Sequence, residues 1–590
     1  MSWSIKLDST TKFSSHRSAY AAVGSPTRQQ HKRTSIVFHK GFNSLCRQFN
    51  GWLTLSFCIA ALVAAPVIVL AWHAFGSIEH WGHLFNYVLP TAFKNTVLLL
   101  VGVGVLVSCL GVGAAWLITA YQFPGRRILS WALLLPLAVP TYIVAFAYLD
   151  ILHPIGPVQS LIRDLLGYDS PRQFRLPDLR SLGGAIFLLG FVLYPYVYLS
   201  TRAMFATQAA SLLEAARVLG ESSRSVFFRV ALPMARPAIA VGLSLALLET
   251  LNDIGASEFL GIQTLTVSVY TTWVTRSDLA GAAQIALAML SLVATLILIE
   301  RFGRRRQRYS SNQRSHPVQP IKLKGSHAAI ACALGWAPVI IGFVAPALYL
   351  LNESVKYLHI TGAMSEQLLN SAWNTVKIAL IATVVTIAGG LTVAWAARSI
   401  RSDRAKLLPR LLGGIASIGY AIPGTVLAIG LLSPLVFADR ALNWVGAYFG
   451  GSQQLLIMGS TTALVIAYAI RFMAISAGGV QAGLSRIPPS LEQASRLLGE
   501  SPTRTLARVH LPLLRPALGA SALLIFVDAM KELPATLLLR PMNFDTLATW
   551  LYAEAARGTY EEGAIAALAI VIAGLIPVIL LARAQLKTAH

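Results

Sequence analysis

Four carboxylates stand in otherwise apolar surroundings. Glu249 and Asp253 are four residues apart, which predicts one helical face, and Asp528 and Glu532 hold the equivalent places 279 residues later. Counting inward from Pro237 at a rise of about 1.5 Å per residue puts Glu249 about 18 Å and Asp253 about 24 Å along a helix. Carboxylates at such a depth in lipid are costly and usually face a cavity or a partner. Four of them converging near a pseudo-twofold axis would attract a hard cation, which prefers oxygen ligands. A second reading is bracing: Asp528 can pair with Lys531 at i+3, and all four acids can cap or brace helix ends. The residues alone leave both readings open.

A second constellation is polar and occurs twice. Ser211-Leu-Leu-Glu214-Ala215-Ala216-Arg217-Val218-Leu219-Gly220-Glu221-Ser222 ends at Leu232-Pro233, and Ser490-Leu-Glu-Gln493-Ala494-Ser495-Arg496-Leu497-Leu498-Gly499-Glu500-Ser501 ends at Leu511-Pro512. Each stretch predicts two short helices around a glycine. Ser211 with Glu214, and Ser490 with Gln493, have capping-box spacing for the first helix. Gly220 and Gly499 end it in a left-handed conformation, and Ser222 and Ser501 cap the second, with Pro502 in its first turn. Pro233 and Pro512 are expected to close the second helix before the chain re-enters the membrane. Ala215, Ala216, Ala494 and Ser495 are small enough to let another protein approach. The plain alternative is a pair of ordinary helix hairpins with no partner.

The elements that must position these residues are membrane spans. Of the 590 residues 55% are hydrophobic and only 12% charged, and the mean hydropathy is +0.62. Soluble domains carry about 25% charged residues. Twelve apolar stretches are long enough for a hydrocarbon core of about 30 Å: near 53–73, 95–119, 130–149, 181–201, 238–260 and 279–299, then 327–351, 375–397, 411–437, 456–477, 517–538 and 563–582. Backbone in lipid must satisfy its own hydrogen bonds, so the expected fold is an all-α polytopic bundle.

The net charge of +23 does not point to nucleic acid, because basic residues collect in alternate loops. Lys6, Lys12, Arg17, Arg28, Lys32, Arg33, Lys40 and Arg47 face a single Asp8 in the N-terminal tail, and Arg301, Arg304, Arg305, Arg306, Arg308, Arg314, Lys322 and Lys324 follow the sixth stretch. The positive-inside bias puts both termini and this linker in the cytoplasm, against anionic lipid headgroups. Cys46, Cys58, Cys109 and Cys332 have no metal-ligand spacing and read as small packing residues. Residues 1–50 read as a disordered basic tail ahead of an uncleaved first span, rather than a transit peptide.

Asn95-Thr96-Val97 and Asn374-Thr375-Val376 are also 279 apart, as are Arg229 and Arg508, Arg236 and Arg515, and Pro237 and Pro516. The chain therefore divides into two halves, 51–300 and 327–583, with coupling loops at 211–237 and 490–516, joined by a linker at 301–326 and followed by a tail at 584–590. Six spans per half make the repeat parallel, with a path expected between the halves.

Glu-Ala-Ala-x-x-x-Gly followed by an aliphatic residue and x-Leu-Pro resembles the coupling-loop signature of ABC importer permeases. The first copy matches with Val230 in the aliphatic place; the second has Gln493 for the glutamate, Ser495 for the second alanine and Val509. The resemblance implies the type I importer permease fold and coupling helices that dock on ATPase subunits, most economically two. It also implies a periplasmic binding protein and a bacterial inner-membrane location. No G-x-x-x-x-G-K-[ST] loop occurs, so ATP is expected to be used by separate partners, with no cofactor on this chain and no enzymatic activity of its own. Glu249-Thr-Leu-Asn252-Asp253-Ile-Gly255-Ala256-Ser-Glu258-Phe and Asp528-Ala-Met-Lys531-Glu532-Leu-Pro534 are similar to the fused ferric-iron importer permeases, over roughly residues 53–583. That implies Fe(III) as cargo; fused thiamine and aminoethylphosphonate permeases share the architecture. An ion-coupled secondary transporter can also have twelve spans in a parallel repeat. However, Pro124-Gly125-Arg126-Arg127 lacks the acidic partner of the major-facilitator loop, and the paired stretches have no purpose there. A scaffold or signalling protein predicts neither the repeat nor the intramembrane acids.

Overall fold

The computed structural model describes residues 51–76, 82, 84–207, 216, 218–304, 320–400, 407–450 and 454–588. The expected N-terminal tail and the middle of the linker lie outside them, whereas the last helix, Tyr560–Thr588, runs on into the expected C-terminal tail. Among the described residues eleven helices are long and apolar enough to cross a bilayer: Gly51–Gly76, Leu84–Ala120, Leu182–Ala206, Ser223–Asn252, Leu279–Arg301, Gly325–Thr361, Glu366–Ser399, Gly424–Ala447, Thr461–Ser485, Pro502–Met530 and Tyr560–Leu580. The bent pair Arg126–Ala138 and Thr141–Ile151, whose axes differ by 92°, is the candidate for a twelfth, as a broken span. The helices are called here the first to twelfth spans, the bent pair being the third.

Proline explains that bend. The helix before Pro140 tightens into a 3₁₀ turn, Leu135–Ala138, and Pro140 starts the next helix. Ile418–Ala421 and Pro423 repeat the arrangement ahead of the ninth span. A proline has no N–H to continue the ladder but suits a helix start. The expectation of one continuous span at 411–437 is thereby corrected: the crossing helix begins only at Gly424.

The two sequence halves are intertwined rather than set side by side. The first span packs on the second half, where a Cβ on Gly430 would come within 2.6 Å of the Pro66 carbonyl oxygen. His73 Nε2 lies 2.8 Å from Ser433 Oγ. Reciprocally, Tyr148 Oη donates to the Ile341 carbonyl at 2.7 Å, and the Phe146 and Tyr560 rings meet at 5.1 Å. The two largest buried clusters are accordingly mixed: one joins Leu99 and Phe146 to Leu350 and Ala567, the other Val63 and Ile285 to Leu427 and Ile525. Small residues such as Gly430 permit the close helix contacts that hold spans together where lipid supplies no hydrophobic drive.

The only strand pairing among the described residues is short and parallel: Tyr121↔Ile321 and Gln122↔Lys322. It ties the end of the linker to the loop after the second span.

Candidate functional site: a charged cavity and two repeated turns

The repeated Asn-Thr pair fixes the elements around the acids. Asn95 Nδ2 donates to the Gln263 carbonyl at 3.1 Å, and Leu265 N–H donates to Thr96 Oγ1 at 2.9 Å. In the other half, Asn374 Nδ2 donates to the Asp545 carbonyl at 3.1 Å and Leu547 N–H to Thr375 Oγ1 at 2.8 Å. These bonds moor the starts of helices Leu265–Val274 and Leu547–Arg557 against the second and eighth spans. The sequence showed the motif only as a marker of the repeat.

The carboxylates do not share one helical face. The fifth span ends at Asn252 and the eleventh at Met530, so Asp253 and Glu532 lie beyond the helices. Each instead turns forward onto the next short helix. Ala256 N–H donates to Asp253 Oδ1 at 2.9 Å, and Ala535 N–H to Glu532 Oε1 at 3.2 Å. An acid that caps the following helix breaks the preceding one, which is why i+4 periodicity misplaced it.

All four acids nevertheless line one cavity of about 110 Å³, together with Tyr142, Tyr196, Tyr420, Arg471 and Lys531. Asp528 pairs with Lys531 at 2.9 Å, as the bracing reading expected. Glu532 pairs with Arg471 at 3.0 Å, and Tyr420 Oη donates to Glu249 Oε1 at 3.1 Å. Tyr142 Oη donates to the Lys531 carbonyl at 3.3 Å, joining the halves across the cavity. Gly424 is small because a Cβ there would lie 2.5 Å from Arg471 Nη1 and 2.8 Å from Glu532 Oε1. Bracing and cavity lining thus coincide in the same residues. Four carboxylates face two cations, so the lining is net acidic. Among the described residues no three His, Cys, Asp or Glu side chains are grouped to hold a metal ion. Within the cavity each acid is held by its own partners. Arg471 was missed; its signal was the lone cation inside the apolar stretch at 456–477.

At the other end of the fifth and eleventh spans lie the repeated turns. Gly220 and Gly499 have φ of +87° and +79°, as the left-handed expectation requires. Ser222 and Ser501 accept from Ser225 N–H and Arg504 N–H, each at 3.3 Å. Two expectations are corrected. Helix Pro489–Leu497 is entered from Pro488 with no side-chain cap, so Ser490 and Gln493 form no capping box; the two prolines already preset the entry. Ser211, Glu214 and Ala215 of the first copy lie outside the described residues; Ala216 is half-buried. Nor do Pro233 and Pro512 close a helix. Each follows a π turn, Phe227–Ala231 and Leu506–His510, that shifts the ladder past the missing proline N–H and carries the helix into the span.

Side chains that the sequence did not single out hold the second turn. Arg398 Nε donates to Glu492 Oε1 at 2.5 Å, and its Nη2 to the Ile487 carbonyl at 2.8 Å. His510 Nε2 lies 3.4 Å from the same carboxylate oxygen. Burial pushes Glu492 upward, but the His510 and Arg398 interactions outweigh it and hold the carboxyl below its ordinary value. Ser495 Oγ and Thr505 Oγ1 are 2.8 Å apart, so the departure from alanine supplies a bond between the two short helices. Gln493 and Ala494 are exposed. So are Val218 and Leu219 (87% and 83%) and their equivalents Leu497 and Leu498 (89% and 84%): an apolar pair left bare at the same place in each half.

Both halves match one family profile, described as binding-protein-dependent transport system inner membrane component, over residues 107–309 and 387–587. The chain belongs to this family. It is a fused, two-half permease of an ABC importer, a multi-pass transport component whose family works with ATPase and substrate-binding partners. Fe(3+)-transport system permease protein FbpB 2 of Haemophilus influenzae is 24% identical over 91% of this chain and 99% of its own length. Molybdenum transport system permease protein ModB of Escherichia coli K12 is 31% identical, over 33% of this chain and 88% of its own. A putative 2-aminoethylphosphonate transport system permease, PhnU of Salmonella choleraesuis, is 30% identical over 33% and 69%.

Proposed function

We propose that this permease passes Fe(III), handed over by a periplasmic binding protein, through the cavity between its halves by alternating access. The observation that carries the reading is the cavity itself: acids from corresponding positions of both halves line it and outnumber the cations there. A net acidic lining favours a cation over an oxyanion. The iron permease of Haemophilus influenzae is also similar along nearly the whole of both chains, whereas the molybdenum and phosphonate relatives match about a third of this one. Arg471 and Lys531 in the lining favour the second reading, an anionic cargo such as a phosphonate.

Two ATPase subunits, which bind the ATP, dock on the exposed apolar pairs beside Gly220 and Gly499, through the segments that hold Glu214, Ala215, Ala216 and Pro233 and, in the other half, Gln493, Ala494, Ser495 and Pro512. Closure of the ATPase dimer draws the two turns together, and the helices that run unbroken from them to Asn252 and Met530 carry the motion to the acids. The basic tail, linker and turns lie on the cytoplasmic side. Nothing covalent happens in this chain, and it holds no cofactor.

The test is uptake of radiolabelled Fe(III) into proteoliposomes holding the permease, its ATPase and its binding protein. Uptake that requires ATP supports the reading. ATP-coupled uptake of thiamine or a phosphonate, but not iron, replaces the cargo. Uptake driven by an ion gradient alone overturns the class of mechanism.

A further inference from the structure

The two halves bring unequal charge to the cavity. Glu249, Asn252 and Asp253 of the first half correspond to Asp528, Lys531 and Glu532 of the second, each 279 residues on. In the second half both acids have a cation of their own: Asp528 has Lys531 and Glu532 has Arg471. Neither first-half acid has a basic side chain within ion-pair distance among the described residues; Glu249 Oε1 has a tyrosine hydroxyl and Asp253 Oδ1 a backbone N–H. The position that bears Lys531 in one half bears a neutral amide in the other.

That side also has oxygens to spare. Asn252 and Asp253 are 6% and 8% exposed; Asn252 Oδ1 accepts no hydrogen bond among the described residues, and Asp253 has only the neutral Thr141 hydroxyl and backbone N–H groups about its carboxylate. Buried acceptors without donors are costly, and the more so inside a membrane. An amide oxygen and two carboxylates are the donor set that a hard, highly charged cation takes.

We propose that Glu249, Asn252 and Asp253 form a transit site for a hard trivalent cation, and that Lys531 and Arg471 keep it weak by occupying the other two acids. A path must bind its cargo well enough to admit it and loosely enough to release it. Four uncompensated acids would trap a trivalent ion; two with an amide let it pass. The inference rests on reading this cavity as the cargo path.

The probe is Tb(III), a hard trivalent ion whose luminescence is sensitised by nearby tyrosines, three of which (Tyr142, Tyr196 and Tyr420) line the cavity. Titrations would use the permease with its ATPase subunits in nanodiscs. Wild type should give a saturable signal. Glu249→Gln with Asp253→Asn should weaken binding about a hundredfold, because two of the site's charges are gone. The charge-neutral pair Asp528→Asn with Lys531→Asn should change it less than about threefold, and Lys531→Asn alone should tighten it about tenfold. Asn252→Ala, which alters no charge, should weaken it about threefold and serves if the double acid variant does not fold. Binding indifferent to Glu249 and Asp253, or lost equally with the second-half pair, overturns the site. If Fe(III) uptake succeeds and Tb(III) ignores these residues, the inference falls while the proposed function stands. If uptake fails while Tb(III) maps as expected, the cation site stands and iron as cargo falls.

Discussion

Glu492 is the residue on which the second repeated turn depends, since one oxygen receives both Arg398 and the neighbourhood of His510. Its carboxyl is held below the ordinary 4.5, so its contribution to stability is present above that value and lost as the pH falls through the lower folded value. Glu492→Ala leaves a half-buried Arg398 uncompensated and should cost about 3 kcal/mol, read as a lower Tm in lipid nanodiscs. The gap between wild type and the variant should hold from neutral pH to about pH 5 and narrow in stronger acid. A gap that widens in acid would mean that the pair is not what anchors the turn.

Among the elements, two glycine turns and two π turns lead into the helices that end beside the cavity. An aspartate at Gly220 or Gly499 must adopt positive φ, at a cost of about 1–2 kcal/mol each, and places a charge beside the bare apolar pair. The double variant Gly220→Asp with Gly499→Asp should still insert and elute as a single species, yet lose ATP-dependent uptake by at least about tenfold. Normal uptake would remove these turns from the coupling. Much of this layer was legible in the sequence. Hydropathy located the spans, the prolines marked the breaks, and a constant offset revealed the repeat. What was not legible came from partners far apart in the chain. Arg398 meets Glu492 across 94 residues, and Arg471 meets Glu532 from another span. The ends of the fifth and eleventh spans were also hidden, because an acid that caps the next helix looks in sequence like one more turn of the last.

For the whole molecule the consequence is interdependence. The first span lies on the second half and the seventh on the first, so a half made alone lacks the surface that buries its own leading helix. Residues 51–300 and 327–583 expressed separately should each aggregate in detergent. Co-expressed, they should co-purify as a one-to-one complex, measured by affinity capture with a tag on one half. A monodisperse, folded single half would contradict the intertwined core.

Under alternating access ATP should draw the two turns together, and the fifth and eleventh spans should carry that motion to the acids. Spin labels at Val218→Cys and Leu497→Cys, in a chain whose Cys46, Cys58, Cys109 and Cys332 are replaced by serine, report the distance between equivalent exposed sites. With the ATPase and binding protein bound in nanodiscs, trapping ATP should shorten that distance, and hydrolysis should restore it. A distance that ignores nucleotide while uptake proceeds would mean that these turns do not drive transport.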